Sequence, residues 1–214
     1  MKIDMHVHTE FSKDSTTSPE EIVKRVKKKG LDGIVVTDHD TMEGVREVQK
    51  IGSDTIVIPG MEVTTTEGEL LGIFIEEEIE SEDPEDVIEE IKEQNGLVIV
   101  PHPFDPLRSF SGWESLKDID GIEVLNSRNL FRGMNRRAEK YAEEKDVIRT
   151  AGSDAHTAWE IGKAFVEAEA DNVKEFRRRL EKGELEIHGV RSSPLSYILG
   201  NFKKITHLIG KVMG

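Results

Sequence analysis

The amino-acid sequence predicts an α/β fold, a distorted TIM-like (β/α)7 barrel. Short apolar segments alternate with helical segments along most of the chain, as in sheets whose strands are joined by helices. Five of the seven histidines lie at or after the carboxyl ends of predicted strands, and barrel proteins build their active sites at that end of the strands. An open doubly wound sheet also places ligands there, but no glycine-rich phosphate loop follows the first predicted strand.

Runs of aliphatic and β-branched residues predict the strands. Several of these runs are apolar throughout, which is typical of parallel strands that are buried on both faces. In chain order, the predicted strands cover residues 2–8, 32–37, 55–61, 69–75, 97–100, 121–125, 146–150 and 163–167.

Capping residues and apolar spacing predict the helices that join these strands. The first helix has the clearest start, because Ser18 is followed by Pro19 and, three residues after the cap, by Glu21. Gly30 is a typical residue for its end. The predicted helices cover residues 18–30, 42–50, 84–95, 131–144 and 173–180.

The chain length fits one barrel domain, which we place at residues 1–190. Residues 191–214 are predicted to form a C-terminal amphipathic helix that packs on the barrel or at a dimer interface, and the second packing would make the protein a homo-oligomer. The apolar stripe of this helix consists of Leu195, Ile198, Leu199, Phe202, Ile205, Leu208, Ile209 and Val212.

Composition narrows the classes of function. The formal net charge of -14 argues against non-specific binding of nucleic acid or anionic membranes, which depends on excess Lys and Arg. The chain has no cysteine, so disulfides, thiolate metal sites and a cysteine nucleophile are excluded. It starts on a predicted strand without a basic-then-apolar leader, and no apolar run approaches about 18 residues. We therefore expect a cytoplasmic protein.

Two pairs of polar residues predict a metal site. His6 and His8 lie two residues apart at the end of the first strand, and therefore on one face of it. Asp154 and His156 have the same spacing after the strand at 146–150. This set of imidazoles and a carboxylate suits zinc, manganese or iron. The other polar residues that follow strands are His39, Glu62, His102 and Asn126.

Taken together, these motifs resemble those of the PHP (polymerase and histidinol phosphatase) family of metal-dependent phosphoesterases. They occur in the family's order over residues 1–166, and their combination is far more specific than any single motif. The matching residues are His6-Val-His8, Asp14, Thr37-Asp-His39, Glu62, Pro101-His-Pro103 and Ser153-Asp-Ala-His156.

The resemblance implies a PHP-type barrel that binds two or three divalent metal ions (Zn, Mn or Fe). Asn126 falls where family members often have a ligand for the second metal, and as an amide it would be a weak ligand. The implied ligands are His6, His8, Glu62 and Asp154 for the first metal, Glu62 as a bridge and His102 for the second, and Asp14, His39 and His156 for the third.

The resemblance also implies a mechanism. Two cations that share Glu62 would lower the pKa of a bridging water and generate hydroxide near neutral pH. Glu62, Asp154 and His156 are the implied catalytic residues. We expect a small phosphorylated molecule or nucleotide to be hydrolysed as a phosphomonoester. A PHP-type exonuclease or phosphodiesterase that acts on nucleic acid is the alternative, and a non-catalytic binding subunit, which should have lost ligands, is a third.

Four further residues have two interpretations each. Arg108 and Arg128 lie in loops after strands, and each either holds a substrate phosphate bidentately or is solvated. Asp38 either orients an imidazole ligand or is an ordinary turn residue. Trp113 either stacks on a base or sugar or covers the core.

Overall fold

A curled sheet is the central feature of the computed structural model, which describes residues 1–52, 54–108, 112–129 and 131–192. The predicted fold class is confirmed, because strands and helices alternate and the 9-stranded sheet forms a nearly closed barrel. The strands are β1 (Lys2–Val7), β2 (Gly33–Val36), β3 (Ile56–Thr64), β4 (Glu69–Ile73), β5 (Leu97–Val100), β6 (Gly121–Asn126), β7 (Ile148–Gly152), β8 (Ala164–Glu167) and β9 (Glu186–Gly189). The α-helices are α1 (Pro19–Lys29), α2 (Glu43–Lys50), α3 (Pro84–Glu93), α4 (Arg132–Lys145) and α5 (Val173–Glu181).

The strand directions create one functional end of the barrel. The strand order is β7-β6-β5-β4-β3-β2-β1-β8-β9. β1, β2 and β3 are parallel, as are β5, β6 and β7. Their carboxyl ends meet at one end of the barrel, which we call the carboxyl face. β4 is antiparallel to both β3 and β5, so its first residues, rather than its last, lie at this face.

The barrel closes between β7 and β1. Asp154 N donates to His6 O at 2.8 Å, and Ser153 N donates to the buried carboxylate of Asp4 at 2.8 Å. Gly152 permits the close approach, because a Cβ at this position would lie 2.3 Å from His6 Cβ. A side chain at position 152 would therefore push the two strands apart.

The residues predicted to start and end α1 do cap the helix in the structure. Ser18 Oγ accepts a hydrogen bond from Glu21 N at 3.3 Å, and Gly30 ends α1 with a left-handed φ of 66°. At the other end of the chain, α5 buries Phe176 and Leu180 in a cluster with the apolar residues of β1 and β8. The spacing that predicted this helix is therefore the spacing of its core contacts.

Most predicted strands match to within two residues at each end, and the larger differences concern β9 and β3. β9 was not predicted, because the strand has only four residues and Ile187 is its one apolar side chain. β3 was predicted to end at Met61 but continues to Thr64, where it pairs with β4. Glu62 consequently lies inside a strand, with its backbone fixed by ladder hydrogen bonds.

The predicted C-terminal helix over residues 191–214 lies outside the described residues from position 193 on. The two residues before that point return to the carboxyl face. Arg191 Nε donates to Asn129 O at 2.9 Å, and Ser192 N donates to Ser127 O at 2.6 Å. Within the described part of the chain, no helix is both long enough and apolar enough to cross a membrane.

Candidate metal centre

The ligand side chains predicted from the sequence converge at the carboxyl face. Parallel strands bring their ends side by side, so residues far apart in the chain become neighbours. The cluster consists of His6 in β1 and His8 just after it, Asp14 in the next loop, His39 after β2, Glu62 in β3, His102 after β5, and Asp154 and His156 after β7.

One group in this cluster lies at the carboxyl end of the seam between β1 and β7 and includes Glu62 from β3. His6 Nε2 and His8 Nε2 lie 3.0 Å apart. Glu62 Oε2 lies 3.1 Å from the first nitrogen and 3.2 Å from the second. Asp154 Oδ1 lies 3.8 and 3.5 Å from the same two atoms. These four side chains are the predicted ligands of the first metal.

A second group shares His8 and lies toward solvent. Asp14 Oδ2 is 3.1 Å from His156 Nε2 and 3.6 Å from His39 Nε2. One ligand atom from each of these four residues lies within 4.8 Å of the others. The group contains the three residues predicted to hold a third metal, with the addition of His8.

A third group contains Glu69, which the sequence reasoning missed. Glu62 Oε1 lies 3.4 Å from His102 Nε2, and Glu69 Oε2 lies 3.5 Å from the same nitrogen. Glu69 Oε1 also lies 3.8 Å from His39 Nδ1. Because β4 is antiparallel, Glu69 reaches the carboxyl face from the start of its strand, whereas the ligands predicted from the sequence all lie at or after strand ends.

The donor set fits divalent metal ions. Ligand atoms lie within 4.8 Å of one another in three sets of side chains, which are His6, His8 and Asp154; His8, Asp14, His39 and His156; and His39, Glu62 and Glu69. This distance is close to the spacing expected around one ion with bonds of about 2.0–2.2 Å. The carboxylates and imidazoles are largely buried, and buried charges are costly unless they are paired or bind a metal. The cluster therefore indicates divalent metal binding by this chain.

Electrostatic coupling in the cluster is strong. Burial alone would lower the pKa of His6 and His8, but the facing carboxylates raise the pKa of His6 well above its usual value and that of His8 to about 9. Burial alone would raise the pKa of Glu62 and Asp154, but the surrounding cations hold both pKa values well below the usual range. Without metal, protons on the imidazoles are the counter-charges of these carboxylates.

His156 shifts in the opposite direction. Burial, His8 and Arg128 lower the pKa of His156 to about 4, although Asp14 opposes the change. This imidazole is therefore neutral at physiological pH, and its lone pair is available to a metal without the loss of a proton.

These pKa shifts predict how the stability of chelator-treated protein depends on pH. The pKa values of His6 and His8 are raised in the folded protein. Their contribution to folding stability is therefore complete below about pH 6.5, the pKa of histidine in the unfolded chain, and is lost as the pH rises toward about 9. The contribution of His156 is present above about 6.5 and is lost as the pH falls toward about 4. We expect the Tm of the chelated protein to be highest near pH 6.5.

Thermal melts at several pH values, with chelator and with saturating metal, test this expectation. Metal replaces the proton as counter-charge and binds more tightly as the ligands deprotonate. The metal-induced rise in Tm should therefore grow from pH 6.5 to 9. A rise that shrinks over this range would contradict the shifts of His6 and His8.

Both candidate arginines lie against carboxylates, and whether either holds a substrate phosphate stays a prediction. Arg108 Nη1 donates to Asp154 Oδ2, and Arg108 Nε donates to Asp105 Oδ2 at 3.1 Å. Arg128 is buried, and its Nε lies 3.6 Å from Glu160 Oε1. The structure places both guanidinium groups at the metal cluster, and each has a buried carboxylate partner.

The structure gives the contacts of three other candidate residues. The Asn126 amide donates to Asp154 Oδ2 at 3.2 Å, and its oxygen accepts from Arg128 N at 2.9 Å, while its role as a weak metal ligand stays a prediction. Asp38 accepts 2.6 Å hydrogen bonds from Thr9 N and Oγ1 rather than from an imidazole. Trp113 is buried and covers the core.

One backbone expectation also requires correction. Asp154 and His156 were expected to share one face of an extended strand end. Asp154 instead has a left-handed φ of 53°, and β7 ends at Gly152. The two side chains still meet, with Asp154 Oδ1 3.4 Å from His156 Nδ1, because the turn redirects them.

Two proteins of Methanocaldococcus jannaschii have sequences similar to this chain. The uncharacterized protein MJ1587 of Methanocaldococcus jannaschii is 40% identical over 141 residues, which are 59% of this chain and 82% of that protein. The uncharacterized protein MJ0417 of the same organism is 34% identical over 183 residues, which are 81% of this chain and 73% of that protein.

Structural and family comparisons agree on the type of fold. A crystal structure from Bacteroides vulgatus, of a two-domain protein that contains a predicted PHP-like metal-dependent phosphoesterase, superposes with a TM-score of 0.77 at 21% identity. The match covers 89% of this chain and 65% of that one. A family model described as PHP-associated matches residues 133–185. With the sequence relatives and the barrel, these matches show that the chain belongs to the PHP family.

Proposed function

We propose that this protein is a metal-dependent phosphoesterase that hydrolyses a phosphomonoester of a small organic molecule or nucleotide. The observation that supports it most is the position of Glu62, whose two oxygens face different imidazoles. Oε2 faces His6 and His8, and Oε1 faces His102. A carboxylate in this position is suited to bridge two metal ions, and paired ions are typical of enzymes that hydrolyse phosphate esters.

The proposed cofactor is two or three divalent ions, and Zn, Mn or Fe suits the imidazole-rich groups. When bound, such ions supply Lewis acidity and a water with a pKa near neutral. His6, His8, Glu62 and Asp154 would hold the first ion. His102 with Glu62 and Glu69 would hold the second, and His8, Asp14, His39 and His156 surround the position of a third.

The remaining task of the chain is to hold the phosphate. Arg108 stands beside Asp154, and Asp105 fixes its orientation through Nε. Arg128 stands near His156 and lies against Glu160. We propose that one or both guanidinium groups orient phosphoryl oxygens, since their planar donors match phosphate geometry.

The acidic surface favours a small substrate over a nucleic-acid chain. A nuclease that binds a polymer must neutralise several phosphates outside its active site, and the net charge of this chain is -14. The PHP-type exonuclease remains the alternative, and a non-catalytic binding subunit is disfavoured because all eight predicted His and carboxylate ligands are present.

A substrate screen tests the proposal. We expect a terminal monoester on a small molecule to be hydrolysed at least about tenfold more efficiently, in kcat/KM, than an internal diester, a difference of roughly 1.4 kcal/mol in barrier. The panel should contain sugar phosphates, nucleotides, histidinol phosphate and short oligonucleotides, each with manganese and with zinc.

The screen distinguishes the three candidate functions. Efficient degradation of single strands with little turnover of any monoester would replace the proposal by the exonuclease alternative. Failure to hydrolyse any ester, in protein shown to be loaded with metal, would favour the binding subunit.

A further inference from the structure

Glu123 is a buried acidic residue in the middle of β6 that contacts several parts of the metal cluster. Its side chain is completely inaccessible to solvent. Oε1 lies 3.0 Å from His6 Nδ1. Oε2 accepts from His102 N at 2.9 Å and from Asn126 Nδ2 at 2.8 Å. The carboxylate thus joins His6, from the first proposed metal site, to His102, from the second.

The contact with His6 determines which ring nitrogen faces the cluster. A carboxylate only accepts hydrogen bonds, so Glu123 requires a proton on His6 Nδ1. His6 Nε2 is the atom that faces His8 and Glu62. With the proton held on Nδ1, the neutral ring presents a lone pair from Nε2, as a metal ligand must.

The contact with His102 acts on the backbone. His102 has a φ of 32°, in the left-handed region that non-glycine residues rarely adopt. Its N–H points to Glu123 Oε2, so the carboxylate holds the residue in this conformation. The conformation sets the direction in which the imidazole of His102 leaves the chain, toward Glu62.

The fold makes space for this carboxylate. A Cβ on Gly152 would lie 2.7 Å from Glu123 Oε1. Gly152 has no side chain, and this both lets β7 approach β1 and lets Glu123 reach His6. The arrangement depends on a glycine in the neighbouring strand.

We infer that Glu123 is a positioning residue that fixes the His6 ring and the His102 backbone together, so that the two neighbouring metal sites form as one unit. This inference depends on the metal assignments in the proposed function, but not on the identity of the substrate. It is therefore testable by metal binding alone.

The test is Glu123→Gln in the full chain. A glutamine offers one acceptor and one donor end, so it satisfies either His6 or the pair His102 and Asn126, but not both. We expect the affinity for both zinc ions, measured by chelator competition, to fall by about 10–100-fold. At saturating zinc, long-range 1H–15N NMR of His6 should show loss of the wild-type signature of protonated Nδ1 and zinc-bound Nε2.

Two comparison variants define the result. Asp120→Asn removes a carboxylate that accepts from Val98 N, away from the ligands, and should leave zinc affinity within about twofold of wild type. His102→Ala removes a ligand of one site, so it should lose one zinc and keep the other. Glu123→Asp, which keeps the charge but is one carbon shorter, should behave like Glu123→Gln and covers the case in which the glutamine variant fails to fold.

Some outcomes would overturn the inference. Wild-type zinc affinity in Glu123→Gln or Glu123→Asp would do so. The loss of one zinc alone, or an unchanged His6 signature at saturating zinc, would show that the carboxylate does not connect the two sites. Absence of phosphatase activity would defeat the proposed function while leaving these binding results intact.

Discussion

Asp154→Asn is expected to abolish phosphate-ester hydrolysis while the protein stays folded. Oδ1 of Asp154 faces His6 and His8, and Oδ2 accepts from Arg108 and Asn126. The amide removes an anionic ligand at nearly constant volume, and asparagine tolerates the left-handed φ of 53° at this position. The loss should exceed the roughly 10–100-fold typical for residues that only orient ligands.

The measurement is kcat on the best monoester from the screen, with circular dichroism to verify the fold. Asp32→Asn is a matched control, because Asp32 accepts from Lys2 N at the opposite end of β1 from the metal cluster. It should retain wild-type kcat. Comparable activity in Asp154→Asn and wild type would refute the assignment of Asp154 as a ligand.

Glu62→Gln is expected to remove at least one metal ion per chain and, with it, hydrolysis. Glu62 Oε2 lies beside His6 and His8, and Oε1 lies beside His102, so one substitution weakens two metal sites. Elemental analysis of protein purified without chelator should give at least two ions per wild-type chain, since the donor atoms form three groups.

Glu67→Gln provides the control for the bridging carboxylate. Glu67 is exposed in the turn between β3 and β4, so its change should alter neither metal content nor kcat. A wild-type protein with well below one ion per chain, not restored by added metal, would contradict the metal assignment. Equal metal content in Glu62→Gln and wild type would contradict the bridge.

The ligands that follow parallel strands were predictable from the sequence. His39 and His102 each lie within three residues of the end of a short, wholly apolar run. Such runs identify buried parallel strands, and parallel strands all end at one face. No knowledge of the strand order was needed to expect that these residues meet.

Glu69 and Glu123 were not predictable, for two different reasons. The direction of β4 is set by pairing with β3 and β5, and pairing is not visible in a local pattern. Glu123 alternates with Ile122 and Val124, as an exposed residue of a half-buried strand does. Inside a barrel, the polar side of such a strand faces the site. The same alternation therefore fits a side chain exposed to solvent and a side chain that faces the metal cluster.

Arg108 and Asp38 show the limit of reasoning from loops. Neither the contact between Arg108 and Asp154 nor the one between Asp38 and Thr9 follows from spacing, because loop conformation decides both. Asp105 orients Arg108 toward Asp154, because its carboxylate accepts hydrogen bonds from Arg108 Nε and, at 3.0 Å, from Leu107 N. A loop organised by its own aspartate has no periodic signature.

The seam between β1 and β7 has a consequence for how the protein matures. Asp4 and Ser153, which meet there, are 149 positions apart in the chain, a separation that delays contact formation during folding. On the ribosome, the two histidines of β1 emerge long before Asp154 and have no carboxylate from β7 to complete their site. The first metal site should therefore form only after the barrel has closed, and the ion that binds stabilises molecules in that closed state.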